Sequence, residues 1–391
     1  MNTDISAVVG GRVLVDDRFV NADLHLGDAV IRDVRIDPAS PPRETAESSI
    51  DVSGMLVTPG LIDIHIHGAH GRSLASADAA GLAEIGRGLL GDGVTSYVAS
   101  LASATTEDLE PAISRLANHE VAGDEAEILG IHLEGPFLAP EQRGAHALDA
   151  LRSPTTGDLE LIRRWSRLIR MITMAPEIEG VLELTRELVQ EHGIVVAAGH
   201  SDADGDALAR MRAAGASHIT HLWSGQSLLR REGPWRVPGM LEASLASSGM
   251  TAEIIADGRH LPAELLEIAR RCLGDRLVIV SDATPGAGMP DGYRYRLGEV
   301  ECVVRDGVGV VVGQDSFGGS TTLLPDMVRH VIGDLGWDPA EAFRMVTANA
   351  ASAIGIDDSA GTIGAGMPAD LVVWDQRLRP AAVIRHGRRV R

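Results

Sequence analysis

The sequence contains no lysine, because all 35 of its basic residues other than histidine are arginine. A chain without lysine has no Schiff-base lysine, no P-loop lysine and no lysine-derived metal ligand. Cysteine is nearly absent as well. Only Cys272 and Cys302 occur, and two cysteines at this distance make neither a metal motif nor a disulfide framework. We therefore expect a reduced, cytoplasmic protein.

Long apolar runs are also missing. Hydrophobic residues make up 45% of the chain, yet no run approaches the roughly 18 residues that span a membrane. The N-terminus shows no basic segment followed by an apolar stretch and a cleavage site, so we expect no signal peptide. The 55 acidic residues give a net charge of −20, which repels nucleic acid and anionic membranes. The expected partner is a small-molecule substrate.

What the sequence does contain, from Thr58 onward, is an alternation of strands and helices. After the first strand, near residues 61–67, strand-like segments occur at residues 94–100, 127–135, 194–200, 216–223 and 276–283. Helical patterns of 10 to 14 residues separate most of them. Such alternation is typical of parallel βα units, and this many units predict an α/β fold with a (β/α)8 TIM-type barrel.

The two ends of the chain have a different pattern. Residues 6–57 contain short strand-like segments with turns, and two more segments follow Gly364. The C-terminal pair is too short to fold alone. We therefore predict one small β-sandwich domain, built from residues 1–57 and 364–391, beside a barrel of residues 58–363. The polar stretch 37–49 is predicted to be a loop.

The segment TPGLIDIHIHGAHG, Thr58–Gly71, carries two histidines where an apolar strand ends. Successive side chains of a strand point to opposite faces, so Asp63, His65 and His67 share one face. Taken alone, the pair has two equally acceptable explanations. It could have a functional role, or one histidine could be a hydrogen-bonded core residue and the other a residue at a loop edge.

Four more polar residues close later predicted strands: Glu134, His200, His221 and Asp282. Each alone has an ordinary explanation, such as a helix cap or a turn. In a parallel barrel, however, the carboxyl ends of all strands meet at one rim. Imidazole and carboxylate are the ligands that zinc takes in catalytic sites. Together with the histidine pair, these residues predict a divalent-metal site.

The order His-x-His, Glu, His, His, Asp on a barrel, beside a split β domain, resembles the amidohydrolase superfamily. Within it, the chain resembles the family of N-acetylglucosamine-6-phosphate deacetylases along nearly its whole length. The matching stretches are PGLIDIHIHG, GIHLEGPFLAPEQRGAH, AAGHSDA, HITHLW, IADGRHL, VSDATPGAGMPDG, FGGST and GTIGAGMPADLVVWD.

The resemblance implies roles for particular residues. Glu134, His200 and His221 would hold the principal metal ion, and His65 and His67 would permit a second, with Zn²⁺ the leading candidate. Asp282 matches the acid/base that takes a proton from water and returns it to the leaving amine. Substrate contacts are implied for Ala145, His146, Ser224, Gly225, Arg231, His260, Phe317, Gly318 and Gly319. His146 and His260 are also compatible with ordinary polar loop residues.

One segment departs from the family pattern. Relatives usually have Phe-Asn-Ala-Met after the sixth-strand histidine, where this chain has Trp-Ser-Gly-Gln at residues 223–226. In the family, the asparagine and alanine of that segment contact the sugar or its phosphate. A family arginine slightly further on binds phosphate, sometimes across a homodimer, and here Arg230, Arg231 and Arg236 all qualify.

The expected function is metal-dependent hydrolytic deacetylation of an N-acetylated amino sugar, N-acetylglucosamine 6-phosphate, giving the free amine and acetate. The altered segment leaves a second hypothesis open. This is a related amide or cyclic-amide hydrolase acting on a different substrate, phosphorylated or unphosphorylated.

Overall fold

The computed structural model describes residues 3–37 and 48–391. Its centre is a sheet of eight strands that are all parallel and run in sequence order around the barrel. The strands are Leu61–Ile66, Val94–Ala102, Glu127–Glu134, Ile169–Met174, Val195–Ala198, His218–Ile219, Thr251–Ile255 and Leu277–Val280. The first and last meet through a parallel bridge between Ile66 and Ala283. The prediction of a (β/α)8 TIM-type barrel is confirmed.

In the described part of the chain, ten α-helices follow and connect the strands: Ala79–Gly91, Thr106–Ala117, Thr156–Trp165, Val181–His192, Gly205–Ala214, Met240–Ala246, Ala263–Leu273, Leu324–Gly333, Pro339–Arg344 and Ala348–Ala353. Short 3₁₀ turns lie at Pro140–Gln142, Leu148–Ala150 and Gly274–Arg276. Local sequence sets several ends. Asp78, for example, caps the first helix by accepting the Gly81 N–H at 2.8 Å. Among the described residues, no helix is both long and apolar enough to cross a membrane.

Two barrel strands, Ile169–Met174 and Thr251–Ile255, were not among the segments predicted from the sequence. Each is interrupted by a charged residue, Arg170 or Glu253, which weakens the apolar signal of a short strand. They are the fourth and seventh strands of the barrel.

The strands from the two chain ends lie in one nine-stranded sheet. Its order is Thr3–Asp4, Arg388–Arg389, Pro380–Arg385, Leu371–Trp374, Leu56–Pro59, Ala7–Val15, Arg18–Gly27 and Val30–Ile36, with Ser49–Asp51 pairing beside Ala7–Val15. Ile31 and Ile384, from opposite parts of this order, share one buried core, so the sheet folds over itself like a sandwich. Residues 38–47 of the predicted polar loop lie outside the described residues. The domain limits at 57/58 and 363/364 stay a prediction.

Among the described residues, three further small sheets lie at the carboxyl side of the barrel. A three-stranded antiparallel sheet, Arg294–Leu297, Val300–Arg305 and Val308–Val311, follows the eighth barrel strand. Two-stranded hairpins form from Gly68–Ala69 with Arg72–Ser73, and from Arg230–Glu232 with Trp235–Val237. The three-stranded sheet has its own small core, which includes Tyr295 and Cys302.

Candidate metal centre and active site

The metal-ligand and acid/base candidates converge at the carboxyl end of the barrel. Each belongs to, or closely follows, a different barrel strand, apart from the His-x-His pair on the first. All six are buried: His65, His67, Glu134, His200, His221 and Asp282.

Glu134 lies at the centre of this cluster. Its Oε1 lies 3.0 Å from His200 Nε2 and 2.9 Å from His221 Nε2. Its Oε2 lies 3.1 Å from His67 Nε2, which is 3.2 Å from His65 Nε2. The ligand atoms form two groups that share Glu134, and within each group they lie within 4.8 Å of one another. The distances of 2.9–3.1 Å between Glu134 and the three histidines are close to the separation of about 3.3 Å between donor atoms around a tetrahedral zinc ion.

The tautomer of His200 shows that these residues fit a metal ion. His200 Nδ1 lies 2.8 Å from the carbonyl oxygen of Gln142, which only accepts, so Nδ1 must carry the hydrogen. Burial lowers the pKa of His200 to about 4, so the ring is neutral and Nε2 presents a lone pair to Glu134. Two acceptors that face each other at 3.0 Å call for a cation between them.

His65 has the same orientation in the other group. Its Nδ1 lies 2.9 Å from Glu253 Oε2, which directs Nε2 towards His67 and Glu134. Burial by itself lowers the pKa of His65, but the negative charges of Glu253 and Glu134 more than offset this and raise it well above its usual value. The same negative charges also favour a metal ion beside Nε2.

Asp282 reaches the same cluster from the eighth strand. Its Oδ1 lies 3.4 Å from His67 Nε2 and 3.5 Å from His65 Nε2. Burial alone raises the pKa of Asp282, but the hydrogen bond to His67 and the nearby histidine charges lower it below its usual value. The carboxylate is thus ionised at neutral pH and able to accept a proton.

The backbone is strained where two of these side chains leave their strands. Asp282 and His200 have φ values of 45° and 47°, in the left-handed region that residues with a Cβ seldom adopt. Strained positions of this kind cluster at functional sites, where the surrounding structure holds them.

A cavity of about 690 Å³ opens onto the cluster. It is lined by most of the predicted substrate-contact residues: Ala145, His146, Ser224, Gly225, His260, Phe317 and Gly319. Among the described residues, Gly318 is not part of this lining. Its N–H donates to the Gly309 carbonyl at 2.9 Å, and its own carbonyl accepts the Tyr295 hydroxyl at 2.7 Å.

The two predicted substrate-contact histidines are held in defined orientations. His146 Nδ1 accepts the Ser103 N–H at 3.2 Å, so Nε2 carries the hydrogen and lies 3.4 Å from Glu134 Oε2. His260 Nδ1 lies 2.8 Å from Asp257 Oδ2, and its ring packs against Phe317 with centroids 4.5 Å apart. Both line the cavity, and their contacts with substrate stay a prediction.

The structure gives a physical reason for glycine at position 225. Its φ is +60°, and a Cβ there would lie 2.7 Å from both His200 Nδ1 and the Gln142 oxygen. These are the two atoms of the hydrogen bond that sets the His200 tautomer. Gly225 therefore supports the metal cluster, in addition to lining the cavity.

The predicted phosphate-binding arginines do not line this cavity in the described chain. Arg230, Arg231 and Arg236 lie on the exposed hairpin and interact within it, for instance Arg231 Nε with the Gly233 carbonyl at 3.0 Å. Of the described residues, the arginine that lines the cavity is Arg305. Sequence reasoning missed it, although the Asp-Gly turn that follows it is a hairpin signal.

Arg305 is exposed, and its guanidinium has no hydrogen bond or ion pair within the described ranges. It ends the second strand of the three-stranded sheet. Arg259 fixes the turn after it, donating from Nε to the Asp306 carbonyl at 2.9 Å. The Arg305 guanidinium is therefore available to a ligand at the cavity wall, and the turn next to it is held by Arg259.

Fold and site together define a barrel hydrolase with a histidine–carboxylate cluster that could hold a metal ion. The chain belongs to the amidohydrolase family, whose model matches residues 56–390. It is a hydrolytic enzyme that acts on carbon–nitrogen bonds, as predicted.

Similar proteins include two sugar-phosphate deacetylases. The N-acetylglucosamine-6-phosphate deacetylase of Vibrio furnissii is 34% identical over 316 residues, which are 80% of this chain and 77% of that protein. The N-acetylgalactosamine-6-phosphate deacetylase of Escherichia coli O157:H7 is 30% identical over 370 residues, 94% of each chain. Among solved structures, a mutant N-acetyl-D-glucosamine-6-phosphate deacetylase from Mycobacterium smegmatis, in complex with N-acetyl-D-glucosamine-6-phosphate, matches with a TM-score of 0.89 and 31% identity over 99% of each chain.

Proposed function

We propose that this enzyme removes the acetyl group from an N-acetylhexosamine 6-phosphate, with N-acetylglucosamine 6-phosphate as the first candidate, giving the free amine and acetate. The observation that carries the proposal is the position of the Asp282 carboxylate, which lies on the cavity wall beside the two metal-ligand groups that share Glu134. The deacetylases similar to this chain support the same chemistry.

The metal-binding residues in this proposal are His65, His67, Glu134, His200 and His221, with one or two ions and Zn²⁺ as the leading candidate. The mixed imidazole and carboxylate donor set supports zinc. When bound, such an ion supplies Lewis-acid polarisation of the amide carbonyl and lowers the pKa of a water molecule.

The protein's own residues move the proton and stabilise the charge. Asp282 accepts a proton from the attacking water and later returns it to the nitrogen, because an amine leaves only when protonated. The His146 Nε2–H, which points towards Glu134, is placed to donate to the carbonyl oxygen as negative charge develops there. Trp223, also in the cavity lining, offers a flat surface for the sugar ring.

We assign the phosphate to Arg305. An anionic substrate is repelled by the net charge of −20, so its binding requires a local cation. Arginine's planar fork matches phosphate, and Arg305 has its guanidinium free at the cavity wall. Arg231, by contrast, lies outside the cavity of its own chain. Its contact with the phosphate stays a prediction, and it requires a second copy of the chain.

A homodimer is proposed together with that role. Leu228, Leu229 and Trp235, on or beside the hairpin of Arg231, are exposed, Trp235 to 73%. A cytoplasmic location is proposed as well, supported by the phosphorylated substrate and by two free cysteines, Cys272 and Cys302. Residues 58–363 would form the catalytic barrel, and residues 1–57 with 364–391 the β domain.

The test compares kcat/KM for N-acetylglucosamine 6-phosphate, N-acetylgalactosamine 6-phosphate and free N-acetylglucosamine. Arg305→Gln should lower kcat/KM for the phosphorylated sugars by about 10- to 150-fold, the effect of losing a charge-assisted contact of about 1.5–3 kcal/mol. Turnover of the free sugar should be unchanged. Arg231→Gln tests the hairpin of a second copy of the chain, and it should have little effect if Arg305 alone binds the phosphate.

A phosphate effect in Arg231→Gln with none in Arg305→Gln would move the phosphate site to the hairpin of a second copy. Equal wild-type rates on phosphorylated and free sugar would remove the phosphate from the proposal. Hydrolysis of a cyclic amide without any sugar deacetylation would favour the second hypothesis.

A further inference from the structure

Glu253 is a buried carboxylate on the seventh barrel strand that no step of the reaction uses. Its neighbours in the strand Thr251–Ile255 are mostly apolar, and its side chain is fully buried. Among the described residues, it is not part of the cavity lining. Burying an ionised carboxylate costs several kcal/mol unless hydrogen bonds compensate, so its presence requires a reason.

Three hydrogen-bond donors surround this carboxylate. Oε2 accepts from His65 Nδ1 at 2.9 Å and from the backbone N–H of His221 at 3.2 Å. Oε1 accepts from His218 Nε2 at 3.0 Å. A single oxygen therefore contacts one histidine from each of the two metal-ligand groups, His65 through its ring and His221 through its backbone.

The contact with His65 also determines which nitrogen faces the cluster. A carboxylate only accepts, so Nδ1 carries a hydrogen, and when the ring is neutral its lone pair lies on Nε2. A carboxylate behind a ligating histidine fixes its orientation and increases its basicity. His65 and Glu253 are 188 residues apart in the sequence.

We propose that Glu253 is a positioning residue that holds His65 and His221 in register and strengthens the binding of the metal ion. The inference rests on the metal site of the proposed function but not on its substrate. It concerns affinity for the metal and involves no contact with the substrate.

Glu253→Gln tests the proposal. The amide keeps an acceptor for His65, and its NH₂ group faces His218 Nε2, which accepts it once the His218 hydrogen moves to Nδ1, 2.6 Å from Thr251 Oγ1. The variant thus changes charge with little change in shape. Zinc-loaded full-length protein is titrated with a competing chelator, and we expect affinity to fall about 10- to 100-fold.

His218→Gln is the matched control, because it alters the same buried contact on the side away from the ligands. It should keep nearly wild-type zinc affinity. Unchanged affinity in Glu253→Gln, or an equal loss in His218→Gln, would overturn the proposal. If Glu253→Gln fails to fold, Glu253→Asp replaces it, because it keeps the charge but withdraws it by about 1.5 Å. Glu253→Asp should also weaken zinc binding, and unchanged zinc affinity in this variant would overturn the proposal as well.

The wild-type titration separates this inference from the proposed function. A wild-type protein that binds no zinc counts against the metal site itself. A wild-type protein that binds zinc without deacetylating any sugar leaves the role of Glu253 intact.

Discussion

Gly225→Ala is the substitution that best tests how the cavity wall supports the metal cluster. The new Cβ would lie 2.7 Å from His200 Nδ1 and from the Gln142 oxygen, whereas ordinary contacts begin at 3.4 Å. The two atoms must separate or shift to make room. Their hydrogen bond of 2.8 Å is what keeps the His200 lone pair directed at Glu134.

The expected loss of stability in Gly225→Ala has two contributions. Alanine at a φ of +60° costs about 1–2 kcal/mol of backbone strain, and loss of the hydrogen bond costs about 0.5–1.5 kcal/mol. The free energy of unfolding should therefore fall by about 1.5–3.5 kcal/mol. Loss of the partner behind a metal ligand should also weaken metal binding by about 10- to 100-fold.

Urea unfolding measures the loss of stability, and a chelator competition measures the loss of metal affinity. Gly193→Ala is the matched control: Gly193 has a φ of 64°, yet a Cβ there meets nothing within 4 Å. It should lose about 1–2 kcal/mol of stability and no metal affinity. If Gly225→Ala binds zinc as tightly as Gly193→Ala does, the contact with His200 is not what makes glycine necessary.

Two further predictions concern the acid/base and the buried carboxylate of Asp158. Asp282→Asn should keep its metal content, measured by elemental analysis, but lose about 10²- to 10⁴-fold in kcat, since an amide moves no proton; a near-native rate would refute its role. Asp158 Oδ1 accepts a hydrogen bond from Arg152 Nη2 at 2.6 Å. Burial raises the pKa of Asp158, but the hydrogen bonds from Arg152 and Thr155 lower it below its usual value. Its stabilisation is therefore complete above about pH 4 and is lost as the pH falls through the lower folded-state pKa. In urea unfolding, the stability gap between Asp158→Asn and wild type should narrow only below about pH 4, and narrowing between pH 8 and 6 would contradict this.

Much of the fold could be predicted from local patterns. Alternating apolar strands and amphipathic helices predict a barrel, because each pattern specifies which face of an element must be buried. Polar residues at strand ends then predict the position of the cluster, since all carboxyl ends of a parallel barrel meet at one rim. Ile169–Met174 was missed because a short strand containing Arg170 lacks a clear apolar signal.

By itself the sequence thus determined the barrel, the β sheet from both chain ends and the residue types at the rim. Only the tertiary structure decided which nitrogen of His65 and His200 faces Glu134, which arginine reaches the cavity, and that Glu253 lies behind the cluster. These are contacts between segments far apart in the chain, 188 residues for His65 and Glu253. Local periodicity specifies which face of a strand is buried, but the hydrogen-bond partner of a buried group depends on which other strand closes against it.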